Sequence, residues 1–165
     1  MISPNSDNLI RVGIAGLGRS GWNIHAKHIQ SLPKQYHITA VTDAMQDRLT
    51  EANSELGCAM YTDFNAMLAD ENVDLIVVAT PNPLHTEHSI TAMQAGKHVV
   101  CEKPFALNVA DADRAIATSQ ESGKILAPFQ NRRFEPHFLH LLNPIFARVY
   151  EYEYQLQKLD IQNLG

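Results

Sequence analysis

The chain has 165 residues, enough for one ordinary domain that buries roughly 70% of its unfolded surface. Hydrophobic residues make up 45% and charged residues 19%, with 8 Gly and 8 Pro, which excludes a disordered, collagen-like or disulfide-built chain and implies a soluble globular protein. Lys and Arg number 13 against 18 Asp and Glu, a net charge of −5 that offers no basic surface to nucleic acid, and the longest aliphatic run, Leu75 to Ala79, falls far short of the roughly 20 residues that cross a bilayer.

The two cysteines, Cys58 and Cys101, lack CxxC or Cys/His spacing and are expected as free thiols. No basic-then-apolar leader opens the sequence, so the expected location is the cytoplasm, with no membrane partner.

The first apolar run, Leu9 to Ala15, is rich in β-branched residues and stops at Gly16, as a buried parallel strand should. Trp22, Ile24, His25, Ile29 and Leu32 then recur at helical spacing over Ser20 to Leu32, and Pro33 ends that helix. His37 to Thr42 reads as a second strand closing on Asp43, and Met45 to Leu56 as a helix stopped by Gly57. A short strand near Cys58 to Tyr61 and a short helix from Asp63 to Leu68 follow, with Asp63 and Asp70 as cap or surface residues.

Asp74 to Ala79 is the strongest strand, bounded by Thr80-Pro-Asn-Pro83. Pro83 suits the first turn of a helix over Leu84 to Ala95, Gly96 stops it, and His98 to Cys101 is another buried strand. Asn108 caps the next helix, which presents Ala112, Ala115, Ile116 and Ser119 on one small-residue face, and Gly123 precedes a strand over Lys124 to Phe129.

About six strands alternating with helices across short connections predict an α/β fold, a doubly wound parallel sheet with helices on both faces. Such sheets bind ligands beyond the carboxyl ends of their strands, here Gly16 to Gly21, Asp43, Thr80 to His85 and Glu102 to Pro104. From Phe146 to Leu156 the chain alternates in a β-like way, so a short C-terminal strand is expected with no sheet of its own to join. That strand would pair with a second copy and make a homo-oligomer. The expected domain limits are 1–143 and 144–165.

Gly16-Leu17-Gly18-Arg19-Ser20-Gly21 matches G-x-G-x-x-G, which alone is weak; here it follows a strand, opens a helix, and has Asp43 22 residues beyond Gly21. Gly16 suits a tight turn, Gly18 the approach of a pyrophosphate to the backbone, and Gly21 the packing of the helix on the sheet. The helix N-terminal amides would face the phosphates. Asp43 would accept hydrogen bonds from the adenosine ribose and repel a 2′-phosphate, favouring NAD as cofactor, with NADP as the alternative. Arg48, a turn into the second helix, reads first as a solvated surface residue and second as a group able to meet a 2′-phosphate.

Three histidine pairs, His25/His28, His85/His88 and His137/His140, have helical i, i+3 spacing, but each lacks a third ligand, so no metal is expected. A lysine beside a carboxylate at the mouth of a buried strand, Lys103 after Glu102, should have its charged form disfavoured when a cationic nicotinamide lies near, which suits proton transfer.

From Arg11 to about Phe138 the sequence resembles the Gfo/Idh/MocA family, relatives of glucose-fructose oxidoreductase and inositol dehydrogenase. The residues that carry the resemblance are the glycine fingerprint, Asp74 to Ala79 leading into Thr80-Pro81-Asn82 and His85, the Ala95-Gly96-Lys97-His98-Val99 approach, Glu102-Lys103-Pro104, and Asn131-Arg132-Arg133-Phe134. The resemblance implies a Rossmann NAD(P)-binding fold and an oxidoreductase passing hydride between nicotinamide and a hydroxyl of a sugar or cyclitol. It makes Lys103 the catalytic residue at the substrate hydroxyl. It gives Glu102 the tasks of holding that lysine and contacting the nicotinamide ribose, and sets His85 near the pyrophosphate and ribose. Thr80, Pro81, Asn82 and Asn131 join the cofactor site on the same ground.

Family members continue into a second α/β domain that covers the nicotinamide and carries an Asp-x-x-x-His stretch. Here Asp160 is followed by Ile-Gln-Asn-Leu, and Val149 to Leu156 resembles only that domain's first strand. The expectation is therefore a truncated member that binds dinucleotide. Two rivals stand beside it, a non-catalytic dinucleotide-binding sensor or regulatory module, and an inert truncated fragment.

Overall fold

The alternation of β-branched runs with amphipathic stretches produces six strands and intervening helices among the described residues. The computed structural model describes residues 9–136 and 138. The chain separates into two units, Met1–Phe129 and Gln130–Gly165. The first begins with β1 (Ile10–Ala15), a π-helical segment Arg19–Ala26 running on as α1 (Lys27–Gln30), β2 (Tyr36–Thr42), α2 (Gln46–Leu56), β3 (Ala59–Tyr61) and α3 (Phe64–Leu68). It continues with β4 (Leu75–Val78), a 3-10 turn Asn82–Leu84, α4 (His85–Gln94), β5 (His98–Cys101), α5 (Val109–Ser122) and β6 (Leu126–Pro128). In the second unit the described residues form a 3-10 turn, Asn131–Phe134, beside which Arg132 pairs with Glu135 at 3.4 Å.

The sheet order is β3-β2-β1-β4-β5-β6, with every neighbouring pair parallel. The chain winds outward from β1 to β3 and then returns to the other side of β1, so the connections after β1 and β4 leave in opposite directions. The crevice of a doubly wound sheet opens between them. No helix among the described residues is long and apolar enough to cross a membrane.

The central strands β1, β2 and β4 are largely buried, as parallel strands are when helices cover both sides, whereas the edge strands β3 and β6 hold no buried residue. Val12, Ile14, Ile38 and Val41 pack with Ala26, Leu49 and Ala52 on one side of the sheet. Ala15, Ala40, Ile76, Val78 and Val99 pack with Met67, Leu68, Ala92 and Met93 on the other. Cys58 and Cys101 are free and buried, and burial pushes the Cys101 thiol up to about 11, so it packs as a neutral group.

The expected punctuation holds in α2, α3 and α5. Asp63 caps α3 by accepting the Ala66 N–H at 2.8 Å, Asn108 caps α5 by accepting the Asp111 N–H at 2.9 Å, and α2 and α5 stop at Gly57 and Gly123. Two faces differ from the expectation. The first helix does not hold one α-helical stripe from Ser20; its π-helical opening has a wider turn, which brings Gly21, His25 and Ala26 inward and leaves Ile24 exposed. In α5 the inward residues are Ala115 and Thr118, while Ile116 is 45% exposed; the Thr118 hydroxyl can be buried because it donates to the Arg114 carbonyl at 3.0 Å. The last strand is shorter than expected, Leu126–Pro128 in place of Lys124 to Phe129, although the Phe129 N–H still reaches the Cys101 carbonyl at 2.8 Å. The predicted strand Phe146 to Leu156, the 143/144 boundary and the His137/His140 pair lie outside the described residues.

Lys97, in the turn before β5, is buried with its ammonium donating to the carbonyls of Asp70 at 2.8 Å and Val73 at 2.7 Å. It closes the α3–β4 connection from beneath. Lys97→Met keeps the chain length but removes the ammonium from both carbonyls, of which that of Asp70 still accepts the Val73 N–H at 3.3 Å, and urea unfolding should show a loss of about 2 kcal/mol.

Candidate functional site

The loop after β1 is shaped by what its glycines would collide with. Gly16 adopts φ +89°, and a Cβ there would sit 2.5 Å from the Ala79 carbonyl oxygen of the neighbouring β4 connection. A Cβ on Gly21 would overlap the Gly16 carbonyl oxygen. Gly18 is different, since its Cβ would meet nothing closer than Arg48 Nη1 at 4.0 Å. The fold thus demands glycine at 16 and 21, whereas at 18 the missing side chain leaves room in a cleft. That is the room a pyrophosphate needs against the backbone.

Gly18 is also the residue that caps the π-helical segment, in an extended conformation and with no side-chain cap bond. The first helical turn carries amides without partners within the helix. They are held in place from behind: the Leu17 N–H donates to Asp43 Oδ2 at 2.6 Å, and the Gly16 N–H to the Thr42 carbonyl at 2.8 Å.

The cleft itself has a volume of about 550 Å³ and gathers Gly16, Gly18, Arg19, Ser20, Asp43, Arg48, Thr80 and Pro81 from the carboxyl ends of β1, β2 and β4. A hollow of about 850 Å³ lies elsewhere along Arg11, His37, Asp74 and His98, at the amino ends of the strands. Three of its polar side chains are already engaged: Arg11 grips Asp74 at 2.6 and 2.9 Å, and His98 Nδ1 accepts the Ile125 N–H at 3.1 Å. The smaller cleft is therefore the candidate site, because there the backbone donors remain open.

At the end of β2, Asp43 has a side chain only 7% exposed. Oδ2 accepts from Leu17 and lies 3.4 Å from Arg48 Nη1, while Oδ1 accepts the Met45 N–H at 2.9 Å. Each carboxylate oxygen can accept two bonds, so Oδ1 keeps one acceptor position for a hydroxyl. Arg48 is drawn into the cleft wall by this pairing and is 42% exposed.

Sequence reasoning missed the wall formed by α3 and α4. Phe64 and His88 stack there with ring centroids 4.2 Å apart, and His88 Nδ1 lies 3.2 Å from the Thr80 hydroxyl. The i, i+3 relation of His88 to His85 was the available signal; Phe64 gave none.

Several expected site residues lie outside this cleft. The Leu17 side chain is buried, so the residue offers the site only its anchored backbone. Asn82 begins the 3-10 turn and is exposed. His85, expected beside a cofactor's pyrophosphate and ribose, is 1% exposed. Its Nδ1 lies 2.8 Å from the Pro104 carbonyl and its Nε2 2.6 Å from the Thr80 carbonyl, so it ties two loops together and has no surface for a ligand.

Glu102, expected to hold the lysine and to contact a nicotinamide ribose, is buried just after β5. Cys101 faces the core on the α4 side, so the next side chain turns to the opposite side of the sheet, where the first helix lies. There Glu102 Oε1 is 2.9 Å from His25 Nε2, both side chains are 7% exposed, and Oε2 accepts the Lys103 backbone N–H at 3.2 Å. Glu102 holds the lysine by its backbone and forms no ion pair with its ammonium. Lys103 itself is exposed, between Glu102 and a cis bond to Pro104.

Burial lowers the affinity of His25, His88 and His98 for a proton; the Glu102 carboxylate partly offsets this at His25, and the charges of His85 and Lys124 add to it at His88 and His98. The unfolded chain then binds protons that the folded chain refuses, so stability is full above about pH 6.5 and is lost as pH falls through the histidine range. Thermal melts from pH 8 to pH 5 should show a falling midpoint, and His88→Gln should flatten part of that slope. No group of three or more His, Cys, Asp or Glu able to hold a metal occurs among the described residues.

A glycine loop at the strand switch, a helix start with open amides, and an acid at the end of the second strand define a domain of the dinucleotide-binding Rossmann class. The chain belongs to the Gfo/Idh/MocA family, the oxidoreductase family with an NAD-binding Rossmann fold, whose profile matches residues 10–130. It is 38% identical over 133 residues to myo-inositol 2-dehydrogenase of Thermotoga maritima, covering 80% of this chain and 39% of that protein. It is 33% identical over 131 residues to scyllo-inositol 2-dehydrogenase (NADP(+)) of Bacillus subtilis, covering 79% and 36%. The crystal structure of the WlbA dehydrogenase from Bordetella pertussis in complex with NADH and UDP-GlcNAcA superposes with a TM-score of 0.80 at 30% identity, over 85% of this chain and 42% of that one. The chain thus spans about two fifths of the length of the proteins it matches.

Proposed function

We propose that this chain binds NAD(H) in the cleft after β1 and serves as the cofactor domain of a dehydrogenase acting on a secondary alcohol of a sugar or cyclitol. The observation that carries the reading is the open space over Gly18, where the backbone could lie against a pyrophosphate while Gly16 and Gly21 are fixed by the fold. In this reading the N–H groups of Arg19 and Ser20 hold the phosphates, Asp43 Oδ1 accepts from the adenosine ribose, and the Phe64–His88 wall flanks the adenine side. Bound nicotinamide supplies a hydride acceptor. In its neutral amine form Lys103 would take the proton of the substrate hydroxyl and become the ammonium, and Glu102 keeps its backbone in place.

NADH fluorescence titration tests the binding, and assays with inositols and sugar nucleotides in the presence of NAD test turnover. Binding with no turnover of any polyol would favour a dinucleotide-binding module, and absence of binding would end the reading. NAD is preferred over NADP in this proposal because the Asp43 carboxylate stands where a 2′-phosphate would come. Asp43→Asn removes that charge while Arg48 remains, and the ratio of NADPH to NADH affinity should rise about tenfold in parallel titrations.

A further inference from the structure

Two buried histidines from different helices hold the ends of one short loop. His25, from the π-helical segment that begins at the glycine loop, meets Glu102 Oε1 at 2.9 Å, and its ring packs on Phe129 with centroids 4.5 Å apart. His85, from the start of α4, lies 2.8 Å from the Pro104 carbonyl and 2.6 Å from the Thr80 carbonyl. Carbonyls only accept, so a neutral ring donates its single N–H to one of the two and packs its other nitrogen against the second. A third tie runs in parallel from the Thr86 hydroxyl to the Phe105 carbonyl at 3.4 Å. Glu102 and His85 are buried, whereas Lys103 between the two held residues is exposed.

We infer that His25 and His85 are positioning residues that fix the Glu102–Pro104 loop at both ends and so set the direction of the Lys103 side chain. The inference rests on the role given to Lys103 in the proposed function. The brace has a physical rationale: a lysine has four rotatable carbons, and its ammonium is localised only if the backbone that carries it cannot pivot. A hydrogen bond to Oε1 leaves Oε2 facing the Lys103 amide, and the His85 bond stops rotation at Pro104. The same two histidines join the loop to the helix that starts at Gly18 and to the β4 connection at Thr80. Movement of either neighbour would therefore reach Lys103.

The test uses the full chain, with its lysines reductively dimethylated with ¹³C and the Lys103 signal assigned by Lys103→Arg. NADH added to the unsubstituted protein is expected to shift the Lys103 methyl signal. His25→Leu and His85→Leu should lose most of that shift and weaken NADH binding about tenfold. His25→Gln, which keeps a donor at the Nε2 position, should restore both, a rescue that a merely space-filling role would not require. Full retention of the shift and affinity in both leucine variants would overturn the inference. If the unsubstituted protein does not bind NADH, the proposed function fails, and the brace is decided by the Lys103 amide resonance of the free protein, which should move in His25→Leu and return in His25→Gln. If the leucine variants do not fold, Glu102→Gln, equal in volume, is expected to move that same amide signal, and an unmoved signal overturns the brace.

Discussion

Gly18→Trp should abolish NADH binding, by at least about a hundredfold in fluorescence titration, while leaving the melting curve close to that of the unsubstituted chain. The separation of the two effects follows from the geometry. A Cβ at 18 meets nothing nearer than 4.0 Å, and that nearest atom is the end of the flexible Arg48 side chain, so an added side chain occupies the cleft without disturbing the sheet. The indole would lie across the opening of the helix, over the amides of Arg19 and Ser20, and exclude the phosphates. Binding at unchanged affinity would place the dinucleotide elsewhere and remove the basis of the proposed function.

Gly21→Ala should act first on the fold, lowering stability by about 3 kcal/mol in urea unfolding where Gly18→Trp leaves the melting curve alone. A single methyl group there overlaps the Gly16 carbonyl, and both groups are backbone-anchored. Relief would require the π-helical segment to move away from β1, with His25 and Ala26 drawn out of the core. Together the two glycine variants distinguish a position kept open for a ligand from one kept open for the fold.

The fold was readable before any coordinates because its signals are local. Asp74 to Ala79 and His98 to Cys101 are apolar over runs too short for a helix, and Asp63, Asn108, Gly57 and Gly123 mark helix ends by their own side chains or lack of them. Six parallel strands follow from that alternation, and their order β3-β2-β1-β4-β5-β6 is one that right-handed crossovers permit. Readable for the same reason were the residues whose place is set by position along one element: Gly16, Gly18 and Gly21 in the loop after β1, and Asp43 at the end of β2.

What could not be read is where side chains meet across elements. Glu102 is next to Lys103 in sequence, yet the alternation of a strand turns its carboxylate to the face where His25, 77 positions away, meets it. His85 lies in a motif that implies a ligand contact, yet its ring fills the gap between two loops and meets their carbonyls. The stack of Phe64 on His88 joins two helices with no pattern linking them.

By itself, then, the amino-acid sequence determined the element order, the parallel sheet, the place of the crevice and the glycine and acid that border it, because hydrophobic period, helix caps and tight turns act within a few residues. Only the tertiary structure decided which partner each buried polar group takes. A carboxylate or imidazole removed from water needs a bonding partner at about 3 Å, and which groups come that close depends on how helices separated by scores of residues pack on the two faces of one sheet.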